Sequence, residues 1–466
     1  MRTLYMNMVG TEKRIALEEE GKIVEFFFRR PDDDEIVGNL YQARVTRVLP
    51  GMQAAFVDIG MDKQAYLHRD DIAEGNGKPI SQLIHQGQAL LVQVIKNAVD
   101  QKGPKLTTKI ELTGMYVVYM ATDPMVAISR NIEEASKRNE LQELGTKLGG
   151  GFIFRTACKE SSLSTVRKEV EKLKEIYESK MHYKGNIPAL VYSSQSFLDR
   201  VLKQIPSHTI SAIYVDDSSV YKEVVRQVGK EKAILYNDKQ SLFDYFHIEQ
   251  QMEQAIKKVV WLENGAYLLI EQMETMTVID VNTGKYTGKV EQADTILQTN
   301  LHAATEVARQ LRIRDIGGMI AIDFINMKEE ASKEQVKRAL MAALKKDSTT
   351  TRVFSFTALG ILEMTRKRKK KSLRDYILAP CICCNNGFAL APNAAAYQLQ
   401  RELLQYKDSD YEAVLVEASS DLQEQFCKLQ LNQVLSVEVS FVTNEVHTYS
   451  IRFFGTKGEV AKRKSK

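Results

Sequence analysis

Two apolar runs in the second half of the chain each deliver an acidic residue at or near the carboxyl end, with a helix-period segment between them. The first is Val278-Ile-Asp280-Val-Asn282-Thr-Gly284 and the second is Ile320-Ala-Ile-Asp323-Phe324. The periodic segment runs from about Val290 to Arg314 and is stopped by Gly317-Gly318. Strand, helix, strand predicts a βαβ unit, whose crossover lays the two strands parallel in one sheet. Asp280 and Asp323 then share one edge of that sheet, in the crevice where open α/β sheets bind ligands. Either aspartate alone serves equally well as a cap for the helix or turn that follows it. Both together, with the Asn282 amide two residues beyond the first, point to a site that holds Mg²⁺ and touches a phosphate.

A chain of 466 residues exceeds one ordinary core and predicts two to four domains. Its 44% hydrophobic and 27% charged residues are those of a soluble globular protein. No run reaches the apolar length of a membrane span, and the first residues lack the apolar stretch of a signal peptide, so the expected location is the cytoplasm. A net charge of +4 does not announce nucleic acid. Its distribution says more: Arg366-Lys-Arg-Lys-Lys-Lys371 is one basic block and Lys462-Arg-Lys-Ser-Lys466 another, each either a solvated face or a phosphate contact.

From the N-terminus, Lys13–Leu17 and Ile23–Phe28 predict a hairpin turning near Glu20-Gly21-Lys22. From Gly38 to about Thr108 short period-two strands alternate with turn residues, among them Tyr41–Val48, Ala54–Asp58, Gln64–Leu67 and Leu90–Ile95. That pattern predicts a small Greek-key barrel of the OB type. Exposed aromatics on such a barrel stack bases, and Phe56 and Tyr66 are candidates, with Lys102 as a phosphate contact. From spacing alone Phe56 reads more readily as core. Between Glu111 and about Asn186 strands precede a long charged helix, Val166 to Lys184, and Phe154-Arg155-Thr156 ends a strand with a guanidinium beside a hydroxyl that can fork onto a phosphate. Residues 189–260 read as α/β, with Ala212–Asp216 a strand and Leu242–Val260 one helix. Ser332 and Gln335 predict a capping box ahead of the helix Val336–Leu344. The strand Arg352–Phe356 then extends the pattern to βαβαβ.

Five cysteines, three of them in Cys381-Ile-Cys383-Cys384, do not make a disulfide framework and suit metal chemistry in a reducing compartment. Cys381 and Cys384 have knuckle spacing, and Gly387 lets the loop turn back. A structural zinc wants four ligands, yet neither Cys158 nor Cys427 belongs to a second pair. A half-site completed by another subunit predicts a zinc-linked homodimer. Free thiols with no metal are the other reading, and Cys383 competes with Cys384 for one ligand position.

These segments, together with Ile128-Ser-Arg130, Ala308–Gly318 and Leu359–Met364, resemble the ribonuclease E/G family of bacterial endoribonucleases in the same order over essentially the whole chain. The likeness is greater to its shorter ribonuclease G type, because the long tail of the ribonuclease E type has no counterpart. The resemblance implies an α+β multidomain fold. RNase H-like and DNase I-like α/β subdomains would carry an inserted S1 (OB-fold) barrel, a 5′-end sensor and a small C-terminal α/β domain. The implied boundaries are 1–37 and 189–257 for the RNase H-like parts, 38–108 for S1 and 109–188 for the sensor. They continue with 258–376 for the DNase I-like part, 377–392 for a zinc-link and 393–466 for the last domain.

By resemblance Asp280 and Asp323 are Mg²⁺ ligands and Asn282 steadies the scissile phosphate. Phe56, Tyr66 and Lys102 grip single-stranded RNA; Gly114, Val118, Arg130, Arg155 and Thr156 sense a 5′-monophosphate, with Arg352 a further contact of that kind. Cys381 and Cys384 bind Zn²⁺ between two protomers of a dimer or tetramer. The implied activity is Mg²⁺-dependent hydrolysis of single-stranded, A/U-rich RNA to 5′-phosphate and 3′-hydroxyl ends, in RNA processing and decay. A non-catalytic S1-domain RNA-binding scaffold is the alternative, and a general Mg²⁺ phosphodiesterase acting on DNA or small nucleotides a weaker one. The chain departs from the family pattern at Asn326 (usually Asp), at Tyr66 (usually Phe), at Asn131 (usually Arg) and in the Cys-Ile-Cys-Cys knuckle.

Overall fold

A computed structural model describes the chain except residues 32–35, 62, 74, 76, 99–101, 194–195, 285–291, 369, 382–386, 445–447 and 465–466, and the side chains of 207, 292 and 293. It divides into two compact units, one of residues 33–206 and one of residues 1–32 with 207–466.

In the unit of residues 33–206, strands Leu40–Leu49, Ala54–Asp58, Ala65–His68, Lys105–Thr107 and Ala89–Lys96 pair in turn, and the last pairs back onto the first, closing a five-stranded barrel. Closure removes free sheet edges. Alternation fills the interior with Ala43, Val45, Ala55, Val57, Ala65, Leu67, Val92 and Val94. The strand Ala189–Tyr192, which the sequence grouped with the following subdomain, pairs with the barrel strand Leu40–Leu49. Next to the barrel in sequence, Glu111–Thr113, Val117–Met120, Gly151–Phe154 and Val126–Ile128 form a four-stranded sheet. Its core of Phe152, Phe154, Val166, Val170 and Leu173 includes one face of the helix Leu163–Met181. That helix starts three residues before the expected Val166, because the Ser162 hydroxyl accepts from the Thr165 amide as N-cap.

Among the described residues the other unit contains four sheets, the smallest a two-stranded pairing of Leu378–Pro380 with Phe388–Leu390. Its N-terminal hairpin, Lys13–Glu19 with Lys22–Arg29, joins Arg2–Asn7 and the parallel strands Ile210–Val215 and Ala233–Leu235 in a five-stranded sheet. The single helix expected over 242–260 is instead two, Leu242–Tyr245 and Ile248–Ala255, broken where His247 takes φ 54°, and Val259–Trp261 is already a strand. Left-handed backbone at a non-glycine residue ends a helix.

The second sheet has six strands in the order Val259–Trp261, Tyr267–Gln272, Met276–Asn282, Gly318–Asp323, Ile361–Arg366, Thr351–Phe356. The helix Gln292–Ile313 supplies the crossover between two parallel strands, as the periodicity predicts. The βαβαβ expectation holds only with an interposition: Ile361–Arg366 runs antiparallel between Gly318–Asp323 and Thr351–Phe356. The helix Glu330–Leu344 begins two residues before Ser332, with no side-chain cap, so the expected capping box is not its start. Leu268, Ile279, Ile320, Ile322 and Leu362 meet Ala304, Val307, Leu311, Val336 and Leu340 of the two helices in one core. The alternate residues of the strands therefore point away from that core. The last sheet orders Glu438–Thr443, Ala413–Ala418 and Tyr449–Gly455, packed against the helices Pro392–Leu404 and Ser420–Lys428. No helix among the described residues is long and apolar enough to cross a membrane.

Candidate active site

The parallel pairing of Met276–Asn282 with Gly318–Asp323 sets Asp280 directly opposite Asp323. Neighbouring strands lie about 4.8 Å apart, so the two carboxylates project side by side from the face turned away from the helices. Burial, and then the charge of Asp280, raise the Asp323 carboxyl above the ordinary carboxylate range. Asn282 is two residues along the same face, and its Nδ2 donates to Asp280 Oδ2 at 2.8 Å. That bond orients the carboxylate and leaves the amide carbonyl oxygen and one N–H for a ligand. Among the described residues no lysine or arginine forms an ion pair with either aspartate, and no group of three or more metal-ligating side chains occurs. Two adjacent carboxylates and an amide fit a hard divalent cation that keeps several waters, as Mg²⁺ does.

Backbone geometry holds these groups. Gly284 has φ 58°, and a Cβ there would sit 2.3 Å from the Gly265 carbonyl oxygen, so the turn after Asn282 admits only glycine. Behind Asp323 the loop is stapled by Asn300, which is fully buried: its Nδ2 donates to Ile325 O at 2.8 Å and its Oδ1 accepts from Ile325 N at 3.1 Å. The sequence carried a signal for Asn300 in an amide on the core side of an amphipathic helix, and the reading above missed it. Beside Asp323 a recess of about 370 Å³ is lined by Ile325, Asn326, Lys333, Phe356 and Leu359. Asn326 thus faces the same recess as Asp323, without contributing a carboxylate. A second cavity in this unit, about 290 Å³, is lined by Arg14, Asp216, Glu249 and Arg401. Its charges satisfy one another: Arg14 pairs with Glu249 at 2.8 Å, and Asp216 accepts from Asn7 and from the Met8 amide, both at 2.6 Å.

Arg352 lies on the edge strand of the same sheet. It is opposite Thr365, which is opposite Met319, so register places Arg352 on the face that carries Asp323. It is exposed, with its guanidinium 4.8 Å from the Phe354 ring centroid. The basic block at 366–371 divides. Arg366 is buried between Asp347 (2.8 Å) and Asp315 (2.7 Å), so it is neither solvated nor free for phosphate.

In the unit of residues 33–206, Phe56 and Tyr66 are cross-strand partners. Their neighbours Ala55, Val57, Ala65 and Leu67 point inward, so both rings lie on the outer face, and the spacing-based assignment of Phe56 to the core is corrected. The Tyr66 ring is 6.4 Å from that of His68 at an interplanar angle of 27°. Lys102 is exposed, and the adjoining Gly103 leaves no space for a side chain against Gln64, with a Cβ only 1.8 Å from Gln64 O, which brings the lysine segment against the Tyr66 strand.

Arg155 Nη1 donates to Gly114 O at 2.8 Å, and the Ser129 and Thr156 hydroxyls are 2.9 Å apart. Gly114, Ser129, Arg155 and Thr156 therefore gather, with Arg130 exposed beside Ser129 and Val118 paired with Ile153 one strand away. Two residues here were missed in the sequence. Glu169 accepts from the amides of Met115, Tyr116 and Val117 at 2.7, 2.7 and 3.0 Å, and a Cβ at Gly114 would strike its carboxyl at 2.5 Å. Lys203 donates to Thr113 O at 3.2 Å; burial foremost lowers its pKa, with Arg155 adding to the effect.

Of the cysteines, Cys381 closes a two-stranded ladder through its amide, which donates to Gly387 O at 2.9 Å, while Cys383 and Cys384 lie outside the described residues. Cys158 is fully buried, its Sγ donating to Tyr116 O at 3.2 Å, and burial pushes its thiol up to about 11.

Residues 111–369 match the model of the Ribonuclease E/G family. The chain is 34% identical to Ribonuclease G of Haemophilus influenzae over 97% of both chains. It is 35% identical to Ribonuclease G of Escherichia coli (strain K12), over 95% of this chain and 96% of that one. To Ribonuclease E of Nostoc sp. it is 32% identical over 80% of this chain and 58% of that protein.

Proposed function

The chain belongs to the ribonuclease E/G family, and we propose that it is an endoribonuclease of RNA processing that hydrolyses single-stranded RNA with Mg²⁺ held at Asp280 and Asp323. The observation that carries this is the in-register pair of aspartates, steadied by Asn282, with which no lysine or arginine among the described residues forms an ion pair. Asp280 and Asp323 hold the ion, and their like charges, which repel in its absence, become its ligands. A bound Mg²⁺ supplies a Lewis acid for the phosphate and a water of lowered pKa. Asn282 holds Asp280 in place and presents its remaining amide groups to the phosphate oxygen on which charge grows. Attack by water at phosphorus leaves a 5′-phosphate and a 3′-hydroxyl.

Phe56 and Tyr66 stack unpaired bases while Lys102 meets the backbone, which favours single strands because paired bases offer no free face. Gly114, Val118, Arg130, Arg155 and Thr156 receive a 5′-monophosphate that stimulates cleavage, and Arg352 is a further basic contact. A/U-rich targets suit such a site because they are easily unpaired. The same reading takes the five-stranded sheet as RNase H-like, the six-stranded sheet as DNase I-like and the barrel as an S1 domain. It joins two chains in the cytoplasm through Zn²⁺ on Cys381 and Cys384 from each, as a dimer or tetramer.

The test is cleavage of a short 5′-monophosphorylated A/U-rich RNA, with Mg²⁺ and with EDTA, resolving the product ends. Mg²⁺-dependent cuts with 5′-phosphate ends are expected. Cyclic-phosphate ends overturn the metal-water mechanism, and tight binding without cleavage leaves the non-catalytic scaffold.

A further inference from the structure

The sheet face that carries Asp280, Asn282 and Asp323 does not end at those residues. Antiparallel pairing sets Tyr267 opposite Asn282, and Trp261 opposite Tyr267. Directly paired residues point to the same face, so Trp261, Tyr267 and Asn282 form one row across three strands. The Leu269–Asp280–Asp323 row lies two residues away on the same face. At about 4.8 Å per strand, Trp261 stands roughly 10 Å from Asn282, within reach of the nucleotide next to the phosphate that Asn282 touches.

Trp261 is the only tryptophan of the chain and is 68% exposed. A solitary exposed apolar residue needs no explanation, but this one is not solitary. Its ring lies 5.1 Å from that of Tyr267, tilted by 54°, a paired aromatic arrangement in which the indole stays largely exposed. The pair sits on a tight hairpin closed by Leu262 N donating to Ala266 O at 2.8 Å and Gly265 N donating to Leu262 O at 3.0 Å. That hairpin is fitted against the catalytic motif, because the Gly265 carbonyl is the atom that excludes any side chain at Gly284. The hairpin's two acidic side chains are both paired, Glu263 with Lys22 and Glu271 with Lys258, so neither presents an unpaired charge to an approaching phosphate chain.

We propose that Trp261, backed by Tyr267, is a base-stacking subsite for the unpaired nucleotide adjoining the scissile phosphate. The proposal rests on the ribonuclease reading of Asp280, Asn282 and Asp323, and adds a substrate contact on the catalytic sheet itself, distinct from the barrel aromatics Phe56 and Tyr66. Stacking is tolerant of base identity and requires a single strand, so the subsite acts on affinity and positioning, not on sequence choice.

The lone indole is its own reporter. The full chain, in EDTA so that it does not turn over, is titrated with a short 5′-monophosphorylated A/U-rich RNA while tryptophan emission and anisotropy of the labelled RNA are followed together. Saturable quenching with the same midpoint as the anisotropy is expected. In the Mg²⁺ cleavage assay Trp261→Ala is expected to raise KM about ten-fold, the scale of one lost base stack, while Trp261→Phe keeps most of the affinity. Wild-type cleavage with no tryptophan response, or an unchanged KM in Trp261→Ala, overturns the subsite. An emission change that follows protein concentration and not RNA assigns this face to a second copy of the chain and also overturns it. Saturable quenching without any cleavage overturns the hydrolase reading and leaves the stacking contact standing.

Discussion

Two clusters of aspartate in the six-stranded sheet unit differ in one respect. Asp315 and Asp347 close around Arg366, whose side chain is 3% exposed, with contacts of 2.7 and 2.8 Å. Asp280 and Asp323 lie opposite each other, with the Asn282 amide on Asp280 and no ion pair to a lysine or arginine among the described residues. In the first cluster charge is cancelled inside the protein, and each partner holds a chain end in place: the turn after the long helix, the loop after the next helix, and a central strand. In the second, two like charges stand side by side, and burial first, then the charge of Asp280, raises the Asp323 carboxyl. Internally neutralised charge holds the fold, whereas the aligned like charge of Asp280 and Asp323 is where we propose that a cation and a phosphate go.

The sharpest way to break that contrast is to neutralise each cluster in turn. Asp280→Asn and Asp323→Asn are each expected to lower kcat by well over about a hundred-fold, with a thermal midpoint that stays level or rises in the absence of metal. A fall in midpoint parallel to the loss of activity would make these aspartates structural. Asp347→Ala is expected to do the reverse. It leaves a buried guanidinium short of a partner, at a loss of about 3–5 kcal/mol in unfolding free energy, measurable by denaturant titration. The folded fraction should retain its rate of cleavage.

Asn282→Ala tests the amide in between: kcat is expected to fall by roughly a hundred-fold, the scale of one lost transition-state donor, with little change in RNA affinity by anisotropy. The smallest effect concerns pH. The Asp323 pKa is raised in the folded chain, so its ionised form opposes folding. Without metal, that penalty is absent below the ordinary carboxylate pKa of 3.8 and is fully present above the raised folded value. Asp323→Asn is therefore expected to raise the metal-free midpoint slightly at neutral pH and not at all near pH 3. Solvent screening at this exposed residue keeps the increment small. Mg²⁺ should raise the wild-type midpoint at neutral pH and leave that of the variant unmoved.

Much of this was legible without coordinates because it follows from local period and chain order. A parallel crossover brings the ends of its two strands to the same sheet edge whatever else surrounds it, so Asp280 and Asp323 had to meet. Period two and turn spacing were enough for the barrel and for the N-terminal hairpin. The failures share a cause. Phe56 could not be assigned to a face until Ala55 and Val57 were seen to fill the barrel, since a strand alone has two faces and no inside. The expected helix over 242–260 was broken by a left-handed His247 that no propensity announces. Ser332 looked like a cap, yet packing of Val336 and Leu340 against the long helix began the helix two residues earlier.

By itself, then, the sequence determined which residues could do chemistry and which of them a crossover must place side by side, because those depend on periodicity and topology. Only the tertiary structure decided how each charge is answered. Arg366 read as one member of a basic run and became a buried anchor, because Asp315 and Asp347, 51 and 19 residues away, converge on it. Asn300 read as an unremarked helix residue and became the staple of the Asp323 loop, because Ile325 reaches it across 25 residues. Trp261 came to share a row with Asn282 through two successive antiparallel pairings. These are contacts between segments far apart along the chain, and nothing in a segment's own spacing encodes its partner.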